Sequence, residues 1–176
     1  MSSAGDARPA WLDADSAEAL DQASLRRAFG CFPSGVTAVC ASIDGLPVGM
    51  AASSFTSVSI DPPLILVCVA NESATWAQLR EASRLGVSIL SADHDQACRQ
   101  LAAKDGDRFA GCEWWATDDG AVFVEGATAL MHCSLEEELP AGDHHIALLR
   151  IRALEADPTV EPLVFHASRF ARLSSS

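Results

Sequence analysis

The sequence has 176 residues and a formal net charge of −12, with 49% hydrophobic and 20% charged residues. That mix belongs to a packed globular chain long enough for one domain, and its acidic excess opposes broad contact with nucleic acid or anionic lipid. Cys31 to Asp44, the longest nearly uncharged stretch, is too short and too interrupted by Pro33 and Gly35 to cross a bilayer.

The acidic start carries no signal-peptide core, so a cytoplasmic protein is expected, with a flexible arm over residues 1–15 and a single domain over residues 16–173. From Ser16 to Phe29, Leu20, Leu25 and Phe29 fall near one face and predict a helix capped by Asp15 or Ser16. Val36 to Ser42 is an apolar, β-branched run ended by Asp44-Gly45, a hairpin signal. The return strand runs from Val48 through small and hydroxyl residues to Ile60, where Asp61-Pro62-Pro63 forces a turn. Leu64 to Val69 reads as a strand covered on both faces.

Further along, Ala74 to Ala82 predicts a helix, Leu85 to Leu90 a strand, and Asp93 or Asp95 the cap of a helix through Lys104. Val122 to Val124, Ala127 to Leu135, His145 to Leu154 and Leu163 to His166 are the remaining strand candidates, separated by Gly, Pro and acidic turns. About seven hairpin-linked strands with two or three helices, without βαβ alternation, predict a mainly β fold: an antiparallel barrel with peripheral helices. The six cysteines form no Cys-x-x-Cys pair, so free thiols and no metal site are expected.

No Gly-x-Gly-x-x-Gly, Walker-type or Gly-x-Ser-x-Gly motif occurs. Gly49 to Ser59 is so poor in bulky side chains that it packs its own core badly. Small residues let a flat ring approach the backbone, while hydroxyls and amides bond its polar edge. A solvent-facing Ser/Thr strand is the competing reading.

Three separated segments together resemble the short-chain flavin reductases, the reductase components of two-component flavin monooxygenases. They are Phe32-Pro33-Ser34-Gly35-Val36-Thr37, Gly49 to Ser59 continuing into Asp61-Pro62-Pro63-Leu64, and Gly142-Asp143-His144. A fourth, Lys104-Asp105-Gly106-Asp107-Arg108-Phe109, is similar to that family's basic segment, and the likeness runs from about Leu25 to Leu173. The resemblance implies an FMN-binding split β-barrel with a Greek-key-like antiparallel sheet, a homodimer with flavin near the subunit interface, and a separate monooxygenase as partner. Residue by residue, it implies Ala52, Ser53 and Ser54 along the isoalloxazine and ribityl chain, with Ser34 and Thr37 close by and Ser57 and Ser59 as further contacts. Lys104 and Arg108 are implied phosphate partners, and Gly142, Asp143 and His144 face the nicotinamide, His144 touching the dinucleotide and Asp143 orienting its ring.

Two positions depart from the family pattern: Ala51 stands where threonine is common, and Phe170 where an aromatic hydroxyl is common. The implied activity is hydride transfer from NADH or NADPH to FMN or FAD, which needs alignment more than acid–base machinery. A non-enzymatic flavin carrier and a flavoprotein that oxidises another small substrate are the alternatives on the same barrel.

Overall fold

Asp21 opens the first helix, α1 (Gln22–Gly30), because its carboxylate accepts the Ser24 amide at 2.7 Å. The computed structural model describes residues 20–173; the N-terminal arm and the expected caps Asp15 and Ser16 lie outside the described residues. No residue of α1 is buried.

After α1 come β1 (Ser34–Gly35), β2 (Thr37–Ile43), β3 (Leu46–Ala52), β4 (Thr56–Ser59) and β5 (Leu64–Ala70). The chain continues through α2 (Ala74–Leu79), β6 (Leu85–Ile89), α3 (Asp95–Leu101), β7 (Trp114–Ala116) and β8 (Val122–Val124). It ends with β9 (Ala129–Ala141), β10 (His144–Ala156), β11 (Val164–His166) and β12 (Arg169–Ala171). Seven strands form one antiparallel sheet in the order β3-β2-β6-β9-β10-β5-β4, flanked by a three-stranded sheet, β1-β11-β12, and the β7-β8 ribbon. This is the expected mainly β, split-barrel class.

Asp44 and Gly45 both have positive φ, 52° and 79°, which closes the β2–β3 hairpin with the tight turn their pairing predicts. The return strand is two strands: β3 ends at Ala52 and β4 begins at Thr56. These neighbours in sequence occupy opposite edges of the sheet, so the sheet curls and residues 53–55 cross its opening.

Two cores share β2. Val39 and Ala41 point into the barrel with Val67, Leu85, Val87, Leu149 and α2's Trp76 and Leu79; Ala38 and Cys40 point out beneath α3, Phe109 and β8. A methyl on Gly86 would collide with the Val122 carbonyl, so β8 crosses β6 only because that position is glycine, and the Ser88 hydroxyl accepts the Val124 amide there. β5 differs from expectation: Ile65, Val67 and Val69 are buried, but Leu64, Leu66 and Cys68 are only half-buried, because among the described residues no helix covers its outer face.

α3 is shorter than expected. It stops at Leu101 instead of reaching Lys104, and neither Asp93 nor Asp95 caps it; His94 is the N-cap residue, without a side-chain bond. The chain must turn back so that Phe109 can cover β3, and Asp107 holds that turn by accepting the Phe109 amide at 2.9 Å.

Candidate functional site

Three of the expected residues share one cavity at the sheet opening. Ala51, Ala52 and Ser53 line a cavity of about 440 Å³, with Val36 on one side, Cys98, Arg99 and Ala102 of α3 on another, and Phe165, Ser168 and Phe170 closing it. That volume falls in the range of small-molecule sites, and the lining is small or apolar with one cation. A flat aromatic ring fits this chemistry, because no side chain larger than methyl or hydroxymethyl stands on residues 51–53.

Not all of the small-residue strand borders open space. A Cβ on Gly49 would lie 2.5 Å from Cys40 Sγ and 2.9 Å from the Phe109 ring, so this glycine exists to let Phe109 pack against β3. The thinness read from sequence as room for a ligand is partly filled by the protein itself.

Several hydroxyls are already used within the fold. Thr37, 2% exposed, donates to the Ala52 carbonyl at 3.0 Å. Ser54 accepts the Cys68 amide at 2.8 Å and donates to the Cys68 carbonyl at 3.1 Å. Both fix the backbone on either side of Ser53, whose side chain is exposed. Ser34 is half-buried on β1 opposite Phe165; Ser57 and Ser59 lie on the edge strand β4 opposite Ile65 and Leu64.

Lys104 and Arg108 lie together, but in a second cavity of about 330 Å³ beside Pro47, Gly49 and Thr75. Arg108 is engaged there: Nη1 donates to the Gly49 carbonyl at 3.1 Å and to Thr75 Oγ1 at 2.6 Å. Lys104 is exposed.

Gly142-Asp143 forms the β9–β10 turn, with Gly142 at φ 68° and His144 opening β10. Asn71 ties the turn to the end of β5, its amide nitrogen donating to the Gly142 carbonyl and its backbone N–H to Asp143 O, each at 3.1 Å. His144 Nδ1 lies 2.7 Å from Asp143 Oδ1; this hydrogen bond, followed by the ring's charge when protonated, pulls the Asp143 carboxyl below its usual range. In register, His144 pairs Ala70 while Ser54 bonds Cys68 from the other side of β5. The histidine and the serine crossing are therefore two strand spacings apart, roughly 10 Å.

Sequence reasoning did not single out Arg99, Phe165, Ser168 or Asn71. Arg99 sits in no motif, and its relation to Phe170 exists only after β12 folds back over α3.

The chain matches the family described as "Flavin reductase like domain" over residues 29–174. This chain belongs to that family. The reductase is 39% identical over 159 residues to actinorhodin polyketide dimerase of Streptomyces coelicolor, covering 90% of each chain. It is 34% identical to the reductase subunit of a flavin-dependent monooxygenase from Rhodococcus jostii, covering 88% of this chain and 79% of that one. Among solved structures, the NADH:FAD oxidoreductase of Streptomyces globisporus, in complex with NAD and FAD fragments, superposes with a TM-score of 0.85 at 34% identity, covering 94% and 98% of the two chains.

Proposed function

We propose that the reductase transfers hydride from NADH or NADPH to FMN or FAD and supplies the reduced flavin to a separate flavin-dependent monooxygenase. The observation that carries this reading is the cavity lined by Ala51, Ala52 and Ser53, in a chain whose relatives include an NADH:FAD oxidoreductase and a monooxygenase reductase subunit.

Flavin supplies the hydride acceptor at its ring N5, and the nicotinamide supplies the hydride at C4. The protein's part is alignment. Residues 51–53 let the ring lie against backbone, and the Ser53 hydroxyl is available to its polar edge. Thr37 and Ser54 hold that backbone rigid from both sides, which supports reacting atoms about 3–3.5 Å apart. Lys104 lines the second cavity without an ion pair among the described residues and suits a flavin phosphate; Arg108 shapes the same cavity. With Nδ1 bonded to Asp143, Nε2 of His144 is the ring atom left to meet the dinucleotide.

The reductase acts as a homodimer in this reading. Ile60 is 94% exposed and Phe32 77%, side chains whose cover by a second copy would remove apolar surface from water. Residues 16–173 act as one domain, in keeping with two cores built on a shared β2. We place the protein in the cytoplasm, with its cysteines as free thiols; among the described residues no helix is long and apolar enough to cross a membrane.

The deciding experiment is oxidation of NADH and of NADPH by the purified protein, with and without added FMN or FAD. Turnover that depends on flavin is expected. Flavin binding without turnover from either donor would favour a carrier or a flavoprotein oxidising another substrate.

A further inference from the structure

We propose that Arg99, stacked on Phe170 at the rim of the cavity beside Ser53, reads a nucleotide phosphate and so helps to set which nucleotide the reductase prefers. The proposal rests on the reading of this cavity as the flavin and dinucleotide site, and it adds a recognition residue distinct from Lys104, which lines the other cavity.

The guanidinium carbon of Arg99 stands 4.8 Å from the centre of the Phe170 ring. Phe170 is itself braced edge-on by Phe165, centroids 5.6 Å apart. Among the described residues Arg99 has no ion pair or side-chain hydrogen bond, a property it shares with Arg26 and Arg169, but of these three arginines it is the one that lines the cavity. A guanidinium held over a ring face by cation–π attraction still has its N–H groups to offer, and a phosphate can take two of them at once.

The turn joining β11 to β12 is a two-residue hairpin turn, with Ala167 and Ser168 at positive φ of 48° and 62° between the paired His166 and Arg169. It folds Phe170 over α3 and sets Ser168 on the cavity wall.

The phosphate can belong to the flavin or to the nicotinamide dinucleotide, and the experiment separates the two. Arg99→Ala and Arg99→Lys are compared with wild type for the dissociation constants of riboflavin, FMN and FAD, and for KM with NADH and NADPH. Loss of a charge-assisted contact is expected to weaken at least one phosphate-bearing ligand about tenfold or more in Arg99→Ala. Riboflavin affinity should be unchanged and Arg99→Lys intermediate. A change in FMN or FAD affinity assigns the flavin phosphate; a change in KM alone assigns the dinucleotide.

Arg99→Gln, which removes the charge and keeps a polar side chain of similar reach, should show the same ligand pattern, and it replaces Arg99→Ala if that variant does not fold. Unchanged values for every ligand, or an equal loss that includes riboflavin, would overturn the proposal. A wild-type protein that binds flavins but never oxidises NADH or NADPH would instead overturn the reductase reading, while the riboflavin and FMN titrations would still test Arg99.

Discussion

Ser54→Ala separates a serine that serves the sheet from one that serves a ligand. The Ser54 hydroxyl satisfies both the N–H and the C=O of Cys68. It does so where the β4–β5 ladder has already ended at Thr56 and Leu66, so it stands in for a missing strand partner. Alanine leaves the two backbone groups without that partner. A net hydrogen bond is worth about 0.5–1.5 kcal/mol, and a buried unsatisfied group costs about 1–3 kcal/mol. Ser54 is only half-buried, so water recovers part of the loss and the sum is about 1–2 kcal/mol. For a domain of this size that lowers Tm by roughly 2–8 °C. The assay is thermal unfolding followed by tryptophan fluorescence, without flavin and with saturating FMN, and the drop should be the same in both because the bonds lie within the protein. An unchanged Tm without flavin, together with sharply weaker flavin binding, would refute the reasoning and return the hydroxyl to the ligand.

Lys104→Ala is expected to weaken flavin affinity by about 1–3 kcal/mol in a fluorescence titration, and unchanged affinity would remove its phosphate role. Arg108→Ala should lower Tm even without flavin, since it frees the Gly49 carbonyl and the Thr75 hydroxyl; a change confined to flavin affinity would contradict the bonds seen here. His144→Ala should raise KM for the nicotinamide donor with flavin affinity intact, and normal steady-state kinetics would show that Gly142-Asp143-His144 is only a turn. Burial holds the His94 imidazole below its usual pKa, so the unfolded chain binds the extra proton first. The stability His94 contributes is therefore full above about pH 6.5 and lost as pH falls below it. Urea midpoints from about pH 7.5 to about pH 5.5 should decline less steeply in His94→Asn, and identical slopes would exclude this histidine as a contributor.

Where a local rule decides the backbone, the sequence was readable. Asp44-Gly45 gave its turn, Asp61-Pro62-Pro63 ended β4, and the apolar runs at Leu64 and Leu85 became β5 and β6. The misses have physical causes. Ser53-Ser54-Phe55 looks like continuous strand because nothing in it breaks pairing; it leaves the ladder only because the sheet curls and its next partner is at the far edge. Glu136 to Pro140 reads as an acidic turn but is strand, since β10 pairs Glu137 to Pro140 and Glu136 sits at a bulge in the same ladder. Its charges are met across strands and from α2: Glu136 by Arg150, and Glu138 by the Trp76 indole at 2.7 Å and by Arg80. Trp114-Trp115 lies in β7, a strand of three residues that is too short to show alternation in the sequence. In the site, Ala51, Ala52 and Ser53 share one cavity and Lys104 and Arg108 another, while which hydroxyls remain free, and that Arg99 meets Phe170, depend on packing that no spacing records.

The pairing of β5 with β10 has a consequence for how the chain is made. Leu64 lies opposite Arg150 and Ala70 opposite His144, so a nascent chain that has emerged through β8 carries a fully apolar strand with one side unmatched. Only the short β4 and the Ser54 hydroxyl are at hand on the other side. Contacts this distant in sequence form slowly, and exposed strand borders invite association in the meantime. The β9–β10 hairpin is local in sequence, and in the finished sheet β9 pairs with β6 and β10 with β5, so this one hairpin joins the two halves of the sheet.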